Sequence, residues 1–135
     1  MKKLVLGNKS LGVNFAILVL RVTFGITMLY GHGLGKWNTL FGGGEIKFLD
    51  PIGIGATASL GLAVFAEVIC SVLLIFGLLT RLALIPLLIT MMVALNLHMA
   101  DSFGTQEKAI LYLAVYAVLF INGSGKYSLD ALLKR

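Results

Sequence analysis

The sequence predicts an all-α, polytopic membrane protein: a four-helix bundle with a long loop between helices 1 and 2 capping its outer end. Three observations carry this. The chain has 135 residues, 59% hydrophobic and 13% charged, and its mean hydropathy is +0.97. Soluble domains run about 45–50% apolar and about 25% charged, and a soluble core of this size could not hide so much apolar surface. Four apolar segments have roughly the length a bilayer demands, about 17–25 residues. Only one long connection separates them, so residues 1–135 read as a single transmembrane domain.

The N-terminus carries Lys2, Lys3 and Lys9 and imitates a signal peptide. It lacks a clean small-x-small cleavage site, and Arg21 interrupts the apolar run, so an uncleaved first span is expected. That span is set at about 13–34. Gly31 and Gly35 form a GxxxG on it, expected to let helices approach closely. The connection 35–55 contains Gly42, Gly43, Gly44, Asp50 and Pro51, all turn formers. It also holds Phe41, Ile46, Phe48, Leu49 and Ile52, too apolar for a free tail in water. An interfacial cap folded back over the bundle is therefore expected.

The second span is set at about 56–79, and Leu79-Thr80-Arg81 turns it tightly into the third, at about 82–99. Pro86 lies inside the third span, where a membrane helix tolerates it with a local kink. Thr105 is expected to N-cap the fourth span, at about 108–121. After Ile121 the run Asn122-Gly123-Ser124-Gly125 ends that helix, and Ser128-Leu129-Asp130 starts a short amphipathic turn on the surface.

The formal charge is +5. The basic residues sit at chain ends and in short loops without interleaved aromatics, which speaks against nucleic acid and for the positive-inside rule. Lys2, Lys3, Lys9, Arg81, Lys126, Lys134 and Arg135 share one side; Lys36, Lys47 and Lys108 share the other. Both termini are expected in the cytoplasm of a bacterial inner membrane. Cys70 is the one cysteine; it excludes dithiol chemistry within the chain and is expected to be a small core residue.

Ionisable groups within spans are candidates for function. Arg21 lies about 12 Å and Glu67 about 18 Å from the inner ends of their helices, at about 1.5 Å per residue. That offset is within an arginine's reach, so an Arg21–Glu67 ion pair is expected. His32, Lys36, Glu67, His98 and Asp101 are placed around one outer pocket: Glu67 as floor, the histidines as walls, Lys36 and Asp101 at the mouth. Two histidines and an acid suit a metal. They equally suit the polar head of a quinone, or are interfacial polar residues. A small-molecule headgroup is favoured, and no metal site is assigned.

The stretch LRVTFGITMLYGHGLGKW, then AEVICSVLLIFGLLTRLALIPL, then a histidine near the end of span three, then EKAILYLAVYAVLFINGSGKYSLD resembles the DoxX family in order and spacing. The resemblance covers about Leu20 to Asp130 and is most specific at Arg21, His32-Gly33 with Lys36, Glu67, Gly77–Arg81, and Gly123-x-Gly125 before Ser128-Leu129-Asp130. It implies a four-helix membrane protein similar to the small membrane subunit of thiosulfate:quinone oxidoreductase. The expected function is a redox-associated subunit that binds a quinone or a small thiol or sulfur compound near the outer face, with a protein partner or as a homo-oligomer. The alternative is a non-enzymatic membrane protein, either a small-solute carrier or a scaffold for a soluble partner. A carrier should show inverted repeats and a central site; the two halves are only weakly similar.

Overall fold

In the computed structural model the chain is described at residue 7 and over residues 12–135. The lysine-rich start with Lys2, Lys3 and Lys9 lies outside the described residues. Four long helices follow one another: α1 (Val13–Phe41), α2 (Ala56–Phe76), α3 (Thr80–Leu97) and α4 (Phe103–Asn122). A short α5 (Leu129–Leu133) closes the chain. Each of α1 to α4 is long and apolar enough to cross a membrane.

Helix α1 runs beyond its expected end at Leu34. Each glycine costs a helix about 1 kcal/mol relative to alanine. Leu40 offsets this by packing on Leu60, Val64 and Val68 of α2 together with Ile46 and Phe48 of the cap. The helix stops only at the glycine run, where Gly43 takes a positive φ of 76°. Its 29 residues span about 43 Å, longer than the roughly 30 Å of hydrocarbon requires. The connection is thereby shortened to residues 42–55. Asp50 ties it down: its carboxylate accepts from Ile54 N at 2.9 Å, Gly55 N at 2.8 Å and Ser59 Oγ at 2.9 Å.

Helix α2 ends in a Schellman turn. Leu78 N donates to Leu73 O and Gly77 N to Leu74 O, with Gly77 left-handed at φ 68°. Helix α3 begins immediately after and is unbroken through Pro86, with Thr90 Oγ1 donating to Pro86 O at 2.7 Å. Helix α4 starts three residues earlier than Thr105 would place it as the cap, with Ser102 as N-cap. The C-terminal turn is not merely laid on the surface. Ser128 is buried, and Asp130 reaches across to accept from Leu79 N at 2.8 Å and Thr80 N at 2.9 Å, capping α3.

The main core joins all four spans through Ile17, Met28, Cys70, Leu74, Leu84, Leu87, Met91, Tyr116 and Leu119. Phe15, Phe65, Ile69, Ile85, Leu111 and Ile121 point outward, the arrangement a lipid-facing bundle requires. The close approach of α1 to α2 falls to other glycines than expected. Gly31 and Gly35 face open space, whereas a Cβ on Gly25 would meet Ile75 Cγ1 at 2.5 Å, and one on Gly33 would meet Glu67 O at 2.6 Å. The GxxxG spacing placed the contact one register off, because the face that meets α2 is set by Met28 and Gly25 in the core.

Candidate functional site

Halfway along, both α1 and α2 loosen into a π-helical turn, over Leu29–Gly33 and Phe65–Cys70. Such turns are rare and recur at functional sites. The two lie side by side, and Gly33 brings the α1 backbone against the carbonyl of Glu67. The second turn carries Glu67, which is 3% exposed. One helical turn outward from Gly33, Lys36 extends to it. Lys36 Nζ donates to Glu67 Oε1 at 2.9 Å and lies 2.7 Å from Oε2. The ammonium thus straddles the carboxylate, with both oxygens within reach of its N–H groups.

The expected Arg21–Glu67 ion pair does not form. Arg21 is 1% exposed and turns its guanidinium toward the end of the bundle where α2 stops and the C-terminal segment packs. It donates through Nε to Leu74 O at 3.1 Å, through Nη2 to Ile75 O and Tyr127 O at 3.4 and 2.9 Å, and through Nη1 to Ser124 O. The last carbonyls of a helix have no intrahelical partner and attract cations through the helix dipole. The carbonyls at the end of α2, including a second lone pair on Leu74 O beside its bond from Gly77 N, therefore outcompete a carboxylate two turns away that Lys36 already neutralises. Arg81 does the same for α4, donating to Phe120 O at 2.9 Å and Ile121 O at 3.1 Å.

Glu67 and Lys36 open onto a cavity of about 310 Å³. The cap covers it with Phe48, Leu49, Pro51 and Ile52; α2 contributes Ser59, Leu62 and Ala63; α3 contributes Ile89, Thr90, Val93, Leu97 and His98. Its walls are mainly apolar, and its polar groups are confined to Lys36, Glu67, Ser59, Thr90 and His98. At the rim, His98 Nδ1 lies 2.6 Å from Asp101 Oδ2. A carboxylate only accepts, so Nδ1 carries the proton toward it. Gln106 fixes the same loop by donating to Met99 O and Asp101 O.

Of the five residues expected at one pocket, Lys36, Glu67 and His98 line this cavity, and Asp101 holds His98. His32 is elsewhere. It is half-buried against α4, edge-on to Tyr112 at 5.8 Å, in an aromatic row with Phe24 and Tyr116. Among the described residues, no group of three or more His, Cys, Asp or Glu is placed to hold a metal ion.

The DoxX family profile matches residues 16–100, the stretch that holds Arg21, Lys36, Glu67 and His98. The chain belongs to the DoxX family. An uncharacterized protein of Haemophilus influenzae is similar to it, 31% identical over 135 aligned residues that cover 94% of this chain and 89% of that protein. No solved structure matches significantly.

Sequence reasoning missed three parts of this DoxX site. Ser59 and Thr90 were not singled out in the sequence, and the latch at Asp50 read as a turn former. Tyr112 and Tyr116 left a signal: two tyrosines one turn apart in an apolar helix need partners for their hydroxyls, and Tyr116 finds Phe24 O at 3.4 Å.

Proposed function

We propose that this DoxX protein is a redox-associated membrane subunit whose capped cavity binds the polar head of a quinone, or a small sulfur compound, in concert with a partner protein. The observation that carries this reading is the Lys36–Glu67 pair at the base of an otherwise apolar cavity between α2 and α3. Charged groups at membrane depth are costly and mark ligand or proton sites. Apolar walls with a few convergent polar groups suit an amphiphile with a ring-sized head. In this reading electrons pass between the bound ligand and a partner.

In this reading the cap and cavity face the outside of a bacterial inner membrane and both termini the cytoplasm, as the lysine and arginine distribution supports. The test is organic extraction of protein purified in mild detergent, followed by mass spectrometry, with a Lys36→Met, Glu67→Met double variant as control. Quinone recovered near one per chain from the parent and lost from the variant supports the reading. Solute uptake by liposomes holding the pure protein, with no quinone recovered, would replace it with a carrier.

A further inference from the structure

The end of the bundle opposite the capped cavity holds a second cavity, and we propose that it binds the headgroup of an anionic phospholipid. It measures about 490 Å³ and lies where α3 begins and α4 ends, with α5 along its third side. Helices α3 and α4 have 18 and 20 residues, a rise of about 27 and 30 Å, which matches the hydrocarbon thickness. Their ends, and the cavity between them, therefore sit at the level of lipid phosphates.

The charge in this cavity is cationic. Arg81 is exposed and spends Nε and Nη2 on Phe120 O and Ile121 O, leaving Nη1 without a partner among the described residues. Lys134 lines the same cavity and makes no ion pair among the described residues. Ser124 adds a hydroxyl. Asp130 is the one acid in the lining. Both of its oxygens are bound to amides at the start of α3, where the positive end of the helix dipole offsets its charge. The remaining acids, Glu45, Asp50, Glu67, Asp101 and Glu107, belong to the other half of the bundle, whereas Lys126 and Arg135 add positive charge at this end. An anion arriving here meets two cations that are free to pair.

Cations alone would suit any anion; the apolar wall singles out a lipid. Leu79 and Leu82 line the cavity and are 53% and 62% exposed. Leu82 begins a stripe that Ile85 and Ile89 continue up the exposed side of α3, at the three- and four-residue spacing of one helix face. A phosphodiester can sit between Arg81 and Lys134 while its acyl chains lie along that stripe. A soluble phosphate ester would use the cations and leave the stripe bare. Basic pockets between spans recognise anionic headgroups in this way.

The experiment is native mass spectrometry of the intact protein in mild detergent, titrated with phosphatidylglycerol, with phosphatidylcholine of the same chains, and with chain-free glycerophosphoglycerol. One cation beside an anionic headgroup is worth about fivefold in affinity. The parent should therefore bind one phosphatidylglycerol at least about tenfold more tightly than phosphatidylcholine, and the chain-free headgroup should not displace it. Lys134→Gln should cut that preference about fivefold. Lys134 is exposed and holds no other group in place, so the variant keeps its fold. Lys126→Gln and Arg135→Gln remove the same charge from the same end but outside the cavity, and should change the preference by less than about twofold. Equal binding of the two lipids overturns the proposal. So do equal losses in all three variants, which would show a diffuse basic rim, and displacement by the chain-free headgroup, which would show a site for soluble phosphate esters.

Discussion

Among the described residues Arg21 is the most heavily engaged side chain, with four backbone carbonyls from two segments around one guanidinium. Its planar fork is what allows this. A lysine at the same place has three donors on a flexible stem and cannot reach carbonyls on both sides. Arg21→Lys should lower stability by about 2–3 kcal/mol and Arg21→Met by about 3–5 kcal/mol, the range for orphaned acceptors in a buried site. Reversible unfolding in mixed micelles would measure both; parent-like stability of Arg21→Met would mean that water satisfies those carbonyls. The Lys36–Glu67 pair behaves differently because it is two charges. Lys36→Met alone strands a buried carboxylate and should cost about 3 kcal/mol, and the double change to methionine should recover part of it. The lysine side chain is 28% exposed, so the loss should sit at the lower end of that range.

At the scale of elements, the contact between α1 and α2 depends on Gly33 more than on any large side chain. Adding a methyl there drives into the backbone at Glu67, which cannot yield as a flexible side chain would. Gly33→Ala should cost about 1–3 kcal/mol and loosen the Lys36–Glu67 pair, whereas Gly31→Ala and Gly35→Ala should be neutral or slightly stabilising. Thermal melts of the three variants would decide; equal melts would show the two helices to be further apart. The cap is an element with its own latch. The Gly55 amide holds the Asp50 carboxyl below its ordinary value of 3.8, desolvation opposes this, and Ser59 and the Ile54 amide add to it. A carboxyl with a depressed folded value contributes stability above its unfolded value and loses it as pH falls through the folded one. The cap should therefore stay closed at neutral pH and open to protease only below about pH 3.8, while Asp50→Asn should open it at pH 7. Cleavage confined to residues 42–55 is the readout, and a cap cleaved equally at pH 7 and pH 3 in the parent would refute the latch.

For the whole molecule, the number of spans and their order were legible in hydropathy alone. Element ends were not, because they depend on packing: Leu40 extends α1, and Asp130 starts α3 from fifty residues away. The site was legible in part. Lys36, Glu67 and His98 stood out as ionisable groups within or at the ends of spans, and they share a cavity. Arg21 and His32 stood out by the same criterion, yet one serves helix ends and the other an aromatic row. Residue type and depth locate a charge along the membrane normal but say nothing about the angle at which it leaves its helix. Nor do they show which carbonyls are free, and that decided the partner of Arg21. The orientation is open to a direct check. Single cysteines at positions 43 and 126, with buried Cys70 retained, should react with an impermeant maleimide from outside and only after lysis, respectively. The reverse pattern would put the cavity on the cytoplasmic side.

The carbonyls that hold Arg21 also set an order of events during synthesis. Two of them lie 53 and 54 residues downstream, but those of Ser124 and Tyr127 lie 103 and 106 downstream. At about 5–20 residues per second of elongation, the guanidinium waits roughly 5–20 s in the nascent membrane segment before the last of its acceptors exists. Span one cannot settle finally until the end of the chain arrives, so the C-terminal loop closes the fold in time as well as in space. A chain released after residue 122 should have all four spans and still be unstable, its first helix carrying a charge that the missing segment was to receive. Pulse-labelled truncations at 122 and 128 should differ sharply in half-life, the shorter being cleared like a misinserted protein and the longer persisting.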